Sequence, residues 1–167
     1  MRTLLRVKWQ SFTVSMARLL PSFLLKAIIY LLKKKYVIGV VAVVFNDDGD
    51  LLVLHHTYRR EIAWRLPGGL KEAHETPFVT LVRELKEEAN VYAEPIAVIA
   101  VAEAGISLDV AVLCGVSFEE PFVANAEVDE RKWVEPHAYC AILPSEQRAF
   151  VQSAIRMREL GVMDQKL

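Results

Sequence analysis

The sequence predicts an α/β protein, in which helices flank a mixed sheet and a basic helical extension precedes it. First, β-type apolar runs and segments of helical period alternate along the chain, which favours a sheet covered by helices. Second, the 167 residues are 53% hydrophobic and 25% charged, enough to build one domain with a core. Third, charge is distributed unevenly, which separates a segment 1–35 from a domain 36–167.

The extension, residues 1–35, is basic and apolar. The first 45 residues contain eight Lys or Arg and no acidic residue, whereas the remainder contains 12 basic and 21 acidic residues. Pro21 and Lys26 interrupt its apolar stretches, so a bilayer span of about 20 apolar residues is not expected. Three interpretations stay open: a helix pair packed on its own domain, a helix on an anionic membrane surface, or an organelle transit peptide.

The partners implied by the charge pattern are limited. The formal net charge of −1 indicates no polyanionic partner, and the basic residues of the extension alternate with aliphatic ones, so no nucleic-acid role is expected. We expect a cytoplasmic protein, with peripheral contact at the inner membrane surface as the alternative that the extension suggests. The sequence is compatible with a homodimer and with a monomer.

The domain begins with a predicted pair of strands. Residues 37–45 are a β-branched apolar run, typical of a buried strand, and residues 51–55 form the return strand. The Asp-Gly step within 46–50 favours a tight hairpin. This acidic turn does not fit a calcium loop, because Val44 would occupy the first ligand position.

A helix is predicted over 77–89. Thr76 is a suitable N-cap, Pro77 suits the first helical position, and Asn90 suits the left-handed residue after the helix. Apolar residues recur at helical spacing and predict one buried face. Strands near 96–102, 108–118 and 131–134 and a closing helix over 144–160 complete the domain.

Three carboxylates share one face of the predicted helix. Glu84, Glu87 and Glu88 stand at i, i+3 and i+4, which destabilises a bare helix through like-charge repulsion. The negative end of the helix dipole lies nearby and adds to the cost. Arg83 is expected to reach one of them, Glu87, or to turn towards Glu75. A hard divalent cation would compensate the negative charge of the remaining carboxylates. The alternative interpretation is an acidic helix face exposed to solvent.

The spacing around these acids resembles the Nudix box, G-x5-E-x7-R-E-U-x-E-E-x-G-U, with U an aliphatic residue. The match begins at Gly69, continues with Glu75, which seven residues separate from Arg83, and ends with R-E-L-K-E-E-A-N-V over residues 83–91. The last glycine of the box is Asn90 here, a residue that tolerates the same left-handed conformation. The resemblance covers roughly residues 36–160.

The resemblance implies an α/β/α sandwich and a hydrolase that cleaves a diphosphate bond with Mg²⁺, or Mn²⁺, as cofactor. The implied substrate is a small nucleotide derivative: a nucleotide sugar, an ADP-ribose-like compound or a nucleoside triphosphate. Arg83 would hold the loop before the helix, together with Glu75. The implied metal ligands are the backbone carbonyl of Gly68 and the carboxylates of Glu84, Glu87 and Glu88.

Which carboxylate accepts the proton of the attacking water is not decided by the resemblance. A box glutamate and Glu127, in a later polar loop, are both candidates. Arg59 and Arg60 are expected to meet substrate phosphates and Tyr58 to stack on a base, with ordinary solvent exposure or core packing as the alternatives. Asp109 interrupts an apolar strand and has no assigned role.

Two functions are compatible with these residues. One is an active Mg²⁺-dependent diphosphatase. The other is a catalytically silent module that binds a nucleotide and regulates. The complete acidic set favours the enzyme, because a silent module has no need to keep like charges clustered on one helix face.

Overall fold

The computed structural model describes residues 21–58 and 63–161. The chain divides into two compact units, with the boundary between Lys35 and Tyr36. In the first unit, helix α1 spans Ser22–Leu32 and buries none of its side chains. Within the two described ranges, no helix combines the length and apolarity that a bilayer crossing requires.

The second unit is a mixed sheet with helices. Its elements are β1 (Val37–Phe45), β2 (Leu51–His56), β3 (Trp64–Arg65), β4 (Gly68–Leu70), α2 (Pro77–Ala89), β5 (Val91–Ala104), β6 (Ser107–Glu119), β7 (Val128–Val134), α3 (Pro136–Tyr139) and α4 (Ser145–Glu159). The strands follow the order β3-β2-β1-β6-β5, while β4 pairs with β1 and β7 pairs with β2. Strand β1 runs parallel to β6, and the other described pairs are antiparallel.

Strand β1 is buried on both faces, as its continuous apolar run predicts. Its alternate residues enter two separate core clusters, one packed against α2 and the other against α4. Leu81 and Leu85 of α2 complete the first cluster, and Phe150 and Val151 of α4 complete the second. Helices therefore cover both faces of the sheet, and the predicted α/β/α sandwich is confirmed.

A short turn over residues 46–50 joins β1 to β2, as predicted. Asn46 organises it: its side-chain Oδ1 accepts the N–H of Asp50 at 2.8 Å, and its carbonyl accepts the N–H of Gly49 at 3.0 Å. The two strands pair at Phe45 and Leu51, and Gly39–Val41 of β1 pair with β4. The hairpin prediction is confirmed, because both strands and the turn over residues 46–50 lie where the sequence predicts them.

Helix α2 has the predicted bounds. The Thr76 hydroxyl oxygen accepts the N–H of Val79 at 3.3 Å, which caps the first turn. Asn90 adopts the left-handed conformation, with φ of 51°, and ends the helix. Its side-chain amide also donates to the carbonyl of Pro121 at 3.0 Å, a bond that glycine could not make.

Candidate functional site

The glycine loop of the site is itself a strand. In β4, Gly69 pairs with Val40 and Gly68 pairs with Val41. A β-carbon at Gly68 would lie 2.1 Å from the carbonyl oxygen of Val40, and one at Gly69 would lie 2.2 Å from a carboxylate oxygen of Glu84. Gly68 therefore requires glycine because of the neighbouring backbone, whereas a side chain at position 69 would displace the Glu84 carboxylate.

Arg83 joins three carboxylates. Its guanidinium donates from Nε to Glu75 at 3.0 Å, and from Nη1 to Glu84 at 2.9 Å and to Glu87 at 3.2 Å. The expectation that Arg83 reaches a single carboxylate of the helix is wrong, because the planar fork carries five N–H donors and lies between the helix and the preceding loop. The Arg83 hydrogen bonds lower the pKa of Glu75 to about 2.

Glu88 and Glu84 are carboxylates in poorly solvated positions. Glu88 is 7% exposed, and its Oε2 accepts the backbone N–H of Gly68 at 3.1 Å. Burial raises the pKa of Glu88 to about 7, and the nearby charges of Glu84 and Glu127 act in the same direction. Burial also raises the pKa of Glu84, although Arg83 opposes the shift.

These groups surround a cleft of about 590 Å³. Asn125 anchors the loop that forms its far wall: its amide donates to the carbonyl of Glu87 at 3.3 Å, and its Oδ1 accepts the N–H of Glu127 at 2.9 Å. Sequence reasoning missed this residue, because its role depends on a loop distant in sequence from α2. The charged residues that line the cleft are Arg83, Glu84, Glu87, Glu88 and Glu127.

A second cleft, of about 760 Å³, adjoins the first. The two share Tyr58 and the strand Gly68–Leu70. Three carboxylates line the second cleft, from Glu103, Asp109 and Glu146. The Asp109 carboxylate fits there because its neighbour on β1 lacks a side chain: a β-carbon on that glycine would lie 2.3 Å from Asp109 Oδ1.

The proposed substrate contacts are described only in part. Tyr58 is 57% exposed and lines both clefts, so it stands where a bound molecule spanning them would pass. Arg59 and Arg60 lie outside the described residues. Residues that sequence reasoning did not select also line the larger cleft, among them Arg65, whose Nη2 lies 3.9 Å from Glu146 Oε1, and Gln147, whose Oε1 accepts the N–H of Leu66 at 2.9 Å.

The side chains of the acidic face are directed to protein partners. Within residues 21–58 and 63–161, no three His, Cys, Asp or Glu side chains are arranged to hold a metal ion. Arg83 engages Glu84 and Glu87, and the N–H of Gly68 engages Glu88. The donor chemistry nevertheless fits a hard divalent cation, because the cleft is rich in oxygen ligands and two of its carboxylates are desolvated by burial.

Known proteins are similar to this chain in sequence and in fold. A family model described as NUDIX domain matches residues 35–154. The human 8-oxo-dGDP phosphatase NUDT18 is 40% identical over 76 residues, which cover 44% of this chain and 24% of that protein. The RNA pyrophosphohydrolase of Zymomonas mobilis is 32% identical over 75 residues, which cover 45% of this chain and 48% of that protein. This chain thus spans less than half the length of these curated relatives.

Among solved structures, the MutT protein from Methanosarcina mazei Go1 superimposes with a TM-score of 0.61 at 25% identity, covering 77% of this chain and 99% of that one. The sandwich, the strand-borne glycine loop and the acidic helix face therefore define a Nudix-type fold. Because the family model spans most of its length, the chain belongs to the Nudix family.

Proposed function

We propose that this protein is a divalent-metal-dependent diphosphatase that hydrolyses a small nucleotide derivative. The observation that carries the proposal is the gathering of the three box glutamates and Glu127 around one cleft beside the glycine loop. Family membership supports it, as do the phosphatase and pyrophosphohydrolase names of the two relatives.

The residues that would hold Mg²⁺ or Mn²⁺ are Glu84, Glu87, Glu88 and the carbonyl of Gly68. When bound, such an ion supplies neutralisation of phosphate charge and lowers the pKa of a coordinated water. Arg83 keeps Glu84 and Glu87 side by side, and its bond to Glu75 holds the loop against the helix.

Two carboxylates are candidates for accepting the proton of the attacking water. Glu88 is the buried box glutamate, and its Oε2 accepts the N–H of Gly68 at 3.1 Å beside the glycine loop. Glu127 lines the opposite wall of the same cleft, on the loop that Asn125 anchors. A pH–rate profile separates them, because replacing the true base removes the acidic limb of the profile and replacing the other carboxylate leaves it in place.

The larger cleft would hold the remainder of the substrate. Its carboxylates, from Glu103, Asp109 and Glu146, are hydrogen-bond acceptors. They favour a base whose edge carries N–H donors, such as guanine or an oxidised guanine, over bases that mainly present acceptors. Tyr58, at the junction of the clefts, would stack on that base or on its ribose.

A substrate panel tests the proposal. The protein is incubated with Mg²⁺ or Mn²⁺ and nucleoside di- and triphosphates, their 8-oxo forms, nucleotide sugars and ADP-ribose, and the products are identified by chromatography and mass spectrometry. We expect cleavage at a diphosphate bond. We also expect Glu87→Gln and Glu88→Gln each to lower kcat by about two to four orders of magnitude.

Glu94→Gln is the matched control, because Glu94 is an exposed carboxylate of β5 outside both clefts. It should leave kcat unchanged. Turnover of no panel member by folded protein would refute the enzyme. If calorimetry then still detected nucleotide binding, the silent binding module would replace it as the function.

A further inference from the structure

We propose that helix α1 binds the surface of an anionic lipid bilayer. The inference concerns a segment outside the Nudix match, which begins at residue 35, and it is independent of the proposed diphosphatase activity. It rests on the exposed apolar surface of the helix, on the arrangement of its polar residues and on the charge of the surrounding chain.

The helix exposes large apolar side chains around most of its circumference. Phe23, Leu31 and Leu32 are 71%, 75% and 78% exposed. Soluble surfaces rarely present contiguous apolar side chains of this kind, and where they do, the patch commonly marks an interaction site. The other large apolar residues of the helix that are exposed are Leu24, Ile28, Ile29 and Tyr30.

The polar residues of the helix fall on one side. Ser22, Lys26 and Tyr30 follow one another at intervals of four, which places them along one stripe of the helix. The ammonium of Lys35 lies 4.3 Å from the centre of the Tyr30 ring, which brings a further cation towards that stripe. The remaining circumference is apolar, so the helix combines one polar stripe with a broad apolar face that a membrane interface could bury.

The charge of this segment complements an anionic surface. Lys33, Lys34 and Lys35 directly follow the helix, and no acidic residue occurs before Asp47. Lysine side chains can bury their aliphatic stems while their ammonium groups contact headgroups. A second copy of the helix is a poorer occupant, because it would bring two sets of positively charged lysines together.

Vesicle binding by the full chain tests the proposal. Flotation is measured with mixed phosphatidylcholine–phosphatidylserine vesicles and with pure phosphatidylcholine vesicles, without nucleotide or metal. We expect the protein to float with the mixed vesicles. The variant Lys33→Gln/Lys34→Gln/Lys35→Gln should lose about a hundredfold in affinity, because each lysine near an anionic surface contributes a factor of about five.

Two further variants make the test specific. The control Lys132→Gln/Arg148→Gln/Arg156→Gln removes the same charge from the second unit and should bind as the parent does. The variant Leu31→Ser/Leu32→Ser keeps the charge, removes apolar surface and should lose at least about tenfold in affinity.

Three results would overturn the inference. The first is failure of the parent protein to float with the mixed vesicles. The second is an equal loss of binding in the two triple variants. The third is a parent protein that does not bind vesicles and sediments as a dimer, whereas Leu31→Ser/Leu32→Ser sediments as a monomer. A second copy of the chain, and not a bilayer, would then cover the helix. Activity on the substrate panel is measured on the same samples, so that failure of one proposal is distinguishable from failure of the other.

Discussion

Glu88→Gln should make the protein more stable and far less active. Glu88 is buried, and its pKa is about 7 against an ordinary value of 4.5. A carboxyl whose pKa is raised by folding binds its proton more tightly in the folded state, so its contribution to stability is lost as pH rises from about 4.5 to about 7. Above pH 7, the ionised side chain therefore opposes folding.

The magnitude follows from the size of the pKa difference. At about 1.4 kcal/mol per pKa unit, ionised Glu88 costs about 3 kcal/mol above pH 7. A glutamine cannot ionise, and its carbonyl oxygen can still accept the N–H of Gly68, although a neutral acceptor forms a bond weaker by about 1 kcal/mol. The net gain in the free energy of unfolding at pH 8 is then about 2 kcal/mol, or a rise in Tm of about 4–8 °C.

Urea unfolding followed by circular dichroism, with a chelator present, measures this effect at pH 8 and pH 4. The gain should appear at pH 8 and vanish at pH 4, where Glu88 is protonated in both folded and unfolded chains. Glu87→Gln is the matched control, because its carboxylate is 60% exposed and its stability change should stay within about 0.5 kcal/mol. A Glu88→Gln variant no more stable than the parent at pH 8 would refute the reasoning.

Three further substitutions probe the same site. Gly69→Ala places a β-carbon 2.2 Å from a carboxylate oxygen of Glu84, so kcat should fall about a hundredfold while Tm changes little. The control is Gly115→Ala, where the added β-carbon meets its nearest atom at 3.8 Å, and its kcat should equal that of the parent. In the parent, the free energy of unfolding should decrease as pH falls from 4.5 to about 2, because Arg83 lowers the pKa of Glu75. Arg83→Gln should make this decrease smaller. An unchanged decrease, measured by urea unfolding across that pH range, would contradict the account. Asn90→Ala should lower the free energy of unfolding, measured in urea, by about 1–2 kcal/mol, because alanine is strained at φ of 51° and cannot donate to the carbonyl of Pro121. Asn90→Gly should lower it less. A larger loss for glycine than for alanine would disprove the account.

The first and last residues of helix α2 could be predicted because the residues next to them determine where the helix begins and ends. Thr76 and Pro77 specify its start, and Asn90 specifies its end, without reference to any distant part of the chain. Strands β3 and β4 could not be predicted in this way. They contain two and three residues, too few to show a period, and they exist because longer strands beside them offer hydrogen bonds.

The sequence predicted which charged residues form the site, but not which of them pair with one another. The box spacing predicts that Glu84, Glu87 and Glu88 share a helix face. That Arg83 would join Glu75 to two of them depends on the path of the loop before α2, which periodicity does not describe. The larger cleft could not be predicted either, because its walls come from elements far apart in the chain. Its residue Asp109 is visible in the sequence only as a charge within an apolar strand.

Among the described residues, the two clefts share Tyr58 and the strand Gly68–Leu70. Apart from that seam, the acids of α2 stand on one set of elements, and the walls of the larger cleft stand on another. For the proposed diphosphatase, this separation predicts that mutations in β6 or at the start of α4 alter substrate preference without altering the carboxylates of α2. Such an enzyme could acquire a new preference through changes in one cleft while the other keeps its chemistry.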